Sequence, residues 1–313
     1  MVTSSLALLE LGRALARAGY HFVTPTPETH ARVFARRELA RDLRDVFGWS
    51  RPFARTLLPE PLFELAREAN VLRPHAAGGA SEVFVSSVRF SSLGSELYVH
   101  SAYPTTQSDA VFFGPDTYRF CAFVESWLGQ RERAVRSVVD IGCGSGAGGL
   151  VAARVARAER LLLVDINPHA LSCAAVNVQL SGRTQATEIF HSDVLDQVTD
   201  ELDLIVANPP YMRDDGARTY RDGGGLFGEA LSVRIVREAL ARLAPGGTLL
   251  LYTGVAVVDG EDVFWSAIQA LLVDYAHSYR ELDPDVFGEE LARPGYENVE
   301  RIAAVALSAT NPG

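Results

Sequence analysis

Cysteine is scarce in this chain, and the few cysteines form no recognisable pattern. The three of them (Cys121, Cys143 and Cys173) lack the spacing of metal ligands, and their odd number argues against a disulfide framework. We therefore expect no bound metal and a reducing, cytoplasmic environment. Lysine is absent, so that all 29 basic residues are arginine; this bias reflects genome composition and indicates no function.

Long apolar runs are also missing, because no stretch of 18 apolar residues occurs. The first 19 residues carry Glu10 within their apolar part and have no basic start, so neither a signal peptide nor a membrane anchor is expected. With 313 residues and 48% apolar content, the chain can bury a substantial core. Its length favours two domains, or one large domain with an appendage.

Charge is divided unevenly along the chain. Residues 1–136 contain 16 Arg and 14 acidic residues, a net charge of +2, whereas residues 137–313 contain 13 Arg and 25 acidic residues, a net charge of −12. An acidic half repels a phosphate backbone, which makes nucleic acid the less favoured partner.

Three parts follow one another along the sequence. Residues 1–76 hold short amphipathic segments punctuated by proline and predict a small helical domain, and residues 77–104 predict a linking β-hairpin with strands at Val83–Phe90 and Leu97–Val99. Residues 105–313 alternate helical patterns with short apolar strands, which is typical of a parallel sheet covered by helices on both faces. The expected strands are Ser137–Ile141, Arg160–Asp165, Ala186–His191, Leu202–Ala207, Thr248–Tyr252, Ser278–Leu282 and Ile302–Leu307.

A glycine-rich turn follows the first of these strands. Asp140 ends the strand, and Gly142, Gly144 and Gly146 open the next helix, so that a ligand can approach the backbone amides closely. Asp165 ends the second strand, 19 residues after Gly146, where a carboxylate can accept both hydroxyl hydrogens of a ribose. Residues 144–149 also satisfy G-x-G-x-x-G, so a dinucleotide cofactor such as NAD is a rival.

Later features favour S-adenosylmethionine as the cofactor. Asp193, followed by Val194, ends the third strand and could accept from an adenine amino group. Ile166, directly after Asp165, and Val194 are expected to bind the cofactor as well. A second mononucleotide-binding half with its own glycine turn does not follow, although a hydride-transfer enzyme of this layout usually has one.

The motif Asn208-Pro209-Pro210-Tyr211 follows the apolar run Leu202–Ala207 and lies 62 residues after Gly146. The Asn208 side-chain oxygen and the Pro209 carbonyl offer two acceptors at a fixed spacing, and each can take one hydrogen of a planar NH2 group. Tyr211 would cover one face of that group. We therefore predict Asn208, Pro209 and Tyr211 as catalytic residues, with Asn208 also near the cofactor, in methyl transfer to nitrogen.

These motifs resemble the class I S-adenosylmethionine-dependent methyltransferases, and within them the release-factor glutamine N5-methyltransferases. The similarity covers residues 105–310 and includes Pro115-Asp116-Thr117, where the family has Pro-Glu-Thr, and the glycine-rich stretch 222–228. It implies an α/β Rossmann-like sheet of seven mostly parallel strands with an antiparallel last strand. It also implies a protein substrate recognised through the N-terminal helical domain.

Three acceptors stay open at the level of sequence. A protein glutamine or related amide comes first, an adenine N6 nitrogen of RNA or DNA second, and the amine of a small metabolite third. The family resemblance favours the first, whereas the motif alone identifies the type of nitrogen and not the molecule that carries it. The first hundred residues and residues 283–299 carry no motif that decides among them.

Overall fold

The computed structural model describes residues 2–75, 82–131, 133–183, 186–213 and 220–313. Its helices, in chain order, are α1 (Val2–Arg17), α2 (Pro27–Phe34), α3 (Leu43–Phe47), α4 (Glu60–Glu68), α5 (Pro115–Leu128), α6 (Ala147–Ala156), α7 (Pro168–Leu180), α8 (Ala230–Leu240) and α9 (Val263–Ile268). Short 3₁₀ turns occupy Arg55–Leu57, Gln269–Leu272 and Gly288–Ala292.

Strands of the N-terminal third precede those of the main sheet. They are β1 (Phe53–Ala54), β2 (Leu72–Pro74), β3 (Val83–Ser86), β4 (Val88–Leu93) and β5 (Glu96–Ser101). The main sheet contains β6 (Ser137–Ile141), β7 (Arg160–Asp165), β8 (Thr187–His191), β9 (Leu202–Ala207), β10 (Leu243–Val258), β11 (Glu261–Asp262), β12 (Ala276–Asp283) and β13 (Arg301–Thr310).

The main sheet has the order β12-β13-β10-β9-β6-β7-β8, and β11 pairs with the end of β10. Strands β6 to β10 run parallel, whereas β13 is antiparallel to both of its neighbours, β10 and β12. This arrangement confirms the predicted Rossmann-like sheet with its antiparallel last strand. The order reverses between β6 and β9, and a ligand crevice is expected at the carboxyl ends of strands at such a point.

Two apolar layers cover the faces of this sheet, because successive strand residues point in opposite directions. Val138 belongs to the layer formed with α5, α6 and α7, whereas Val139 belongs to the layer formed with α8 and α9. Both side chains are fully buried. Burying such a side chain stabilises a fold by roughly 1.5–3 kcal/mol, so the paired layers hold the strand ends in fixed relative positions.

A third apolar cluster joins the N-terminal third to the main sheet. It packs α1, α3, α4, β4 and β5 against the outer side of α7, where Cys173 and Val176 are buried. Asn177 of α7 reinforces the contact, because its amide pairs with both the N–H and the carbonyl of Val99 in β5, at 2.8 and 3.0 Å. The same Nδ2 also reaches the Ser145 carbonyl at 2.8 Å.

The predicted hairpin requires correction. Val83–Phe90 does not form one strand: Val83–Ser86 joins a separate three-stranded sheet of order β1-β3-β2, and the hairpin consists of β4 and β5. The chain changes sheets at Ser87, next to the place where the Ser86 hydroxyl accepts from the Val88 amide at 3.2 Å. The N-terminal third is therefore mixed and not purely helical. Residue 76 of the predicted helical domain and residues 77–81 of the predicted linker lie outside the described residues.

Within the described part of the chain, no helix combines the length and the apolar character needed to cross a membrane.

Candidate active site

A cavity of about 210 Å³ opens at the carboxyl ends of the parallel strands. Segments that follow β6, β7, β8 and β9 all contribute to its wall, together with the start of α5. Every site residue predicted from the sequence lines this cavity except one: Gly146 lies behind it. The topology therefore gathers residues from positions 140 to 211 into one crevice, as expected for a sheet whose strand order reverses here.

The glycine-rich turn leaves room for a ligand. Gly142, Gly144 and Gly146 have φ values of +63°, +54° and +78°, in the left-handed region that favours glycine. A Cβ added at Gly142 would meet no atom within 4 Å, whereas one at Gly146 would lie 3.2 Å from Leu163. The first glycine thus keeps the cavity open, and the last allows α6 to pack closely on β7.

Asp140 is buried behind this turn. Its Oδ2 accepts from the Gly149 amide at 2.7 Å, inside the first turn of α6. Burial raises the pKa of the Asp140 carboxyl to about 7, and the nearby Asp165 adds to the shift, while the Gly149 hydrogen bond opposes it. The Asp140 side chain therefore stabilises the start of α6, directly after the glycine-rich turn, and also lines the cavity.

Asp165 ends β7 and lines the cavity, and its role in binding a ribose stays a prediction. Its two oxygens accept from the amides of Gly144 and Asn167, each at 2.9 Å. Burial raises the pKa of this carboxyl, against the effect of those hydrogen bonds. Each oxygen keeps a further lone pair for a ligand hydroxyl. The next residue, Ile166, leaves 47% of its surface exposed at the cavity wall, where a flat apolar group could cover it.

Asp193 has a different setting from the one expected. Its Oδ1 pairs at 2.8 Å with Nη1 of Arg234, which is not among the lining residues, and its side chain is half exposed. Val194 beside it is buried with φ +53°, a strained conformation for a β-branched residue that costs about 1–3 kcal/mol. The prediction that Asp193 accepts from an adenine amino group stays a prediction, with Arg234 as a competitor for the carboxylate.

The motif after β9 presents two unused acceptors to the cavity. Asn208 is half-buried, and across the described residues its amide makes no hydrogen bond. The Pro209 carbonyl likewise accepts none from any described part of the chain. An amide and a carbonyl held partly away from water without partners are unusual in a folded protein. They are available for a ligand that carries two N–H hydrogens.

Tyr211 is fixed by a partner 95 residues away. Its hydroxyl donates to Asp116 Oδ2 at 2.5 Å, and the Tyr252 hydroxyl donates to Asp116 Oδ1 at 2.7 Å. Burial and the adjacent Asp116 carboxylate raise the pKa of Tyr211 well above its usual value, so the phenol stays protonated. The Asp of the Pro-Asp-Thr segment thus orients the ring of the motif, a relation that sequence reasoning missed.

A loop from 222 to 228 closes over the motif's backbone. The Gly223 amide donates to the Met212 carbonyl at 2.9 Å. A Cβ at Gly223 would lie 2.7 Å from the Pro210 carbonyl oxygen and 2.0 Å from that of Gly228. Only glycine permits this approach, which explains why the glycine-rich stretch accompanies the motif.

Aromatic rings complete the wall, and one of them has no signal in the sequence. Phe112 and Tyr220 lie parallel with their centroids 6.3 Å apart, and Tyr220 donates to the Thr105 carbonyl at 2.5 Å. Phe287 meets the Tyr211 ring edge-on at 6.2 Å. Phe287 comes from a polar, proline-punctuated segment, and only the tertiary fold brings it to the cavity.

Across the described ranges, no three His, Cys, Asp or Glu side chains are grouped as ligands for a metal ion. The residues that are present suit an uncharged nucleoside and a hydrogen-bonded planar group. Gly142 leaves space at the turn, Asp165 offers carboxylate lone pairs, and Ile166 offers an apolar face.

A comparison with protein families gives the class of this domain. Residues 126–256 match the family of the methyltransferase small domain. The chain carries a class I S-adenosylmethionine-dependent methyltransferase domain, and S-adenosylmethionine is its cofactor, which confirms the class and cofactor expected from the sequence. The fold is similar to that of Methanocaldococcus jannaschii Trm5 in complex with adenosine, with a TM-score of 0.50 and 16% identity over 82% of this chain and 69% of that chain.

Curated relatives come from more than one kind of methyltransferase. The release factor glutamine methyltransferase of Lactococcus lactis is 31% identical over 53% of this chain and 63% of its own length. That of Enterococcus faecalis is 31% identical over 42% of this chain and 51% of its own length. The ribosomal RNA small subunit methyltransferase C of Chromohalobacter salexigens is 35% identical over 38% of this chain and 31% of its own length. The chain thus spans less than two thirds of each of these relatives.

Proposed function

We propose that this protein transfers a methyl group from S-adenosylmethionine to a planar NH2 nitrogen, and that the nitrogen belongs to the side-chain amide of a protein glutamine. The observation that carries this proposal is a pair of acceptors at the wall of the cavity, Asn208 Oδ1 and the Pro209 carbonyl, which accept no hydrogen bond from the residues that the structure describes. Because they belong to adjacent residues, we propose that each accepts one hydrogen of the same NH2 group. The similarity to release factor glutamine methyltransferases supports glutamine as the acceptor.

In this proposal the cofactor, when bound, supplies a methyl carbon activated by a sulfonium. Gly142 and Gly144 make room for it, Asp165 accepts from its ribose, and Ile166 and Val194 cover its base. Asp140 supports the turn through Gly149, and Asp193 accepts from the adenine amino group when it is released from Arg234.

Orientation accounts for most of the catalysis that we propose. An amide nitrogen is a poor nucleophile because its lone pair is delocalised into the carbonyl. When Asn208 and Pro209 accept both hydrogens, they direct the lone pair at the methyl carbon and raise its electron density. Tyr211, held by Asp116, limits the tilt of the amide plane. The bound cofactor would supply the methyl group and keep the electrons of its bond to sulfur, and solvent would take the proton that the acceptor nitrogen releases.

Replacing one residue tests the proposed role of the motif. We expect Asn208→Ala to lower the rate of methyl transfer by about 10²–10³-fold, because one of two preorganised acceptors is lost. The affinity for the cofactor, measured by calorimetry, should change little. Gln269→Ala removes an exposed amide that does not line the cavity and is the matched control. Equal loss of cofactor binding and transfer in Asn208→Ala would contradict the assigned role.

The acceptor itself is identified by labelling. The protein is incubated with methyl-labelled S-adenosylmethionine and a cell extract, and the label is followed into protein, RNA and small molecules. We expect it in protein, on a glutamine nitrogen. Label in RNA would favour adenine N6 as the acceptor, and label in a metabolite amine would favour the third candidate. Label on oxygen or carbon alone would refute the mechanism.

A further inference from the structure

A second cavity of about 200 Å³ lies beside the first, and Phe112 and Phe287 line both. Its wall combines the N-terminal third with the start of the methyltransferase domain. Its lining includes Thr24 to Glu28, Arg89 and His100 of the hairpin, and the segment at Asp285, Val286, Phe287 and Glu289. The second cavity therefore borders the first and is lined in large part by the N-terminal third of the chain.

Arg89 is the unusual residue of this wall. Only 4% of it is exposed, and its Nε donates to the Gly48 carbonyl at 2.5 Å. Its Nη2 is buried without a hydrogen-bond partner, and no carboxylate within the described ranges forms an ion pair with it. The rings of Phe22 and Tyr103, centred 5.3 and 5.9 Å from the guanidinium carbon, are its other neighbours.

Other buried or cavity-lining arginines have acidic partners. Arg51 is 3.5 Å from Asp45, and Arg119 in the second cavity pairs with Asp116 at 3.1 Å and Asp283 at 2.9 Å. Burial lowers the pKa of Arg89 to about 10, which still leaves it protonated at neutral pH. A buried charge without a counter-ion is costly, and proteins ordinarily provide one.

We propose that Arg89 binds a single carboxylate of the methyl acceptor, while the amide of the same molecule extends past Phe112 and Phe287 to Asn208. The inference rests on the proposed function and adds to it the substrate class: an amide that carries a carboxylate nearby. One uncompensated guanidinium matches one negative charge. Exposed Glu28, Asp285 and Glu289 at the rim disfavour a phosphate or a polyanion.

The carboxylate could belong to a free amino acid derivative or to an acidic residue next to a glutamine in a peptide. Both sources present the same group to Arg89. We suggest a pair of probes that differ in charge alone: N-acetyl-L-glutamine and its neutral N-methylamide. A glutamine peptide with or without a neighbouring Asp forms the second pair.

Equilibrium binding to the full chain, with S-adenosylhomocysteine present, tests the inference. We expect the charged member of one pair to bind roughly tenfold or more tightly than the neutral member. Arg89→Gln should abolish that preference, and Arg89→Lys should restore part of it. Arg160→Gln, which removes a surface arginine paired with Glu188 and Asp200, is the control and should keep the preference.

A second variant avoids the risk that changing Arg89 unfolds the protein. Thr105 lines the second cavity and is half-buried. Thr105→Glu leaves Arg89 in place and supplies a competing carboxylate, so it should also remove the preference for the charged probes. Equal binding of charged and neutral probes to the unaltered protein, or a preference that survives both Arg89→Gln and Thr105→Glu, would overturn the inference.

The two proposals fail separately. A carboxylate preference that depends on Arg89, with no methyl transfer to nitrogen, would refute the proposed function and leave the binding site standing. Methyl transfer to an amide without that preference would refute the Arg89 site alone.

Discussion

Asp140 shows how one buried carboxyl links the site to the stability of the whole chain. It is enclosed at the end of β6 and supports α6 through Gly149. Its pKa is about 7 in the folded protein and near 3.8 when exposed. Between these values the folded state retains a proton that the unfolded state has lost. The resulting stabilisation is complete below pH 3.8 and is lost as the pH rises through 7.

This residue gives a prediction about pH. Without cofactor, the free energy of unfolding should fall between pH 5 and 7, by up to about 1.4 kcal/mol per pH unit from this group. Asp140→Asn keeps an oxygen for Gly149 and removes the titration, so the fall should become shallower. Asp165, whose pKa burial also raises, leaves a residual slope. Urea unfolding at several pH values measures both proteins, and identical slopes would count against the assignment.

At this scale the sequence identified the residues of the cavity better than their contacts. Asp140, Asp165 and Asn208 follow strand ends, and parallel strand ends meet at one edge of a sheet. The hydrogen bond from Tyr211 to Asp116 could not be predicted from the sequence, because 95 residues separate the two side chains. Arg234, which pairs with Asp193, comes from α8. That no carboxylate of the described residues pairs with Arg89 depends on the tertiary fold.

Strand β10 illustrates how one element accommodates its neighbour. It continues to Val258, whereas the sequence predicted an end at Tyr252, before Gly254. Glycine usually weakens a strand, but here its missing side chain makes room for the Tyr211 ring. A Cβ at Gly254 would lie 2.2 Å from Tyr211 Cε2.

Gly254→Ala tests this packing. We expect the variant to lose about 1–3 kcal/mol of stability, because the new methyl group collides with a buried ring. Methyl transfer should also slow as the ring of Tyr211 moves. Gly288→Ala is the control, since its nearest contact would be an ordinary 3.7 Å to Asp285. Urea unfolding and initial rates give the two readouts; an unchanged Gly254→Ala protein would show that the ring has other space.

The apolar pattern of the sequence predicts the limits of some strands and not of others. Strands β6, β7 and β9 have the limits expected from their apolar runs, because both of their faces are covered. The break at Ser87 was not predicted, because the same alternation of residues continues through it. Val83–Ser86 joins a different sheet from Val88–Leu93 because it pairs with β1 and β2, and this pairing is set by the tertiary fold.

Helix α7 packs between the N-terminal third of the chain and the main sheet. One side of this helix packs on the main sheet, and the other packs on the N-terminal third. Asn177 connects the hairpin to the glycine-rich turn through the backbones of Val99 and Ser145. The net charges of +2 and −12 were evident in the sequence, but the attachment between the halves was not, because it depends on tertiary contacts.

Asn177→Ala should therefore destabilise the entire chain by at least about 2 kcal/mol, because buried backbone groups on both sides lose their partner. The exposed Gln179→Ala on the same helix is the matched control. Chemical unfolding followed by fluorescence measures the difference. A loss no larger than that of Gln179→Ala would mean that the two parts are joined by apolar packing alone.

Arg119 has a consequence for how such an enzyme could change over generations. It bridges Asp116, which aims the Tyr211 ring, and Asp283, at the outer margin of the sheet. Substitutions at position 283 can thus change the orientation of the Tyr211 ring without altering a residue that lines the first cavity. A preference for a new acceptor could therefore arise through substitutions near the surface. Single substitutions there are tolerated more readily than in the cavity itself.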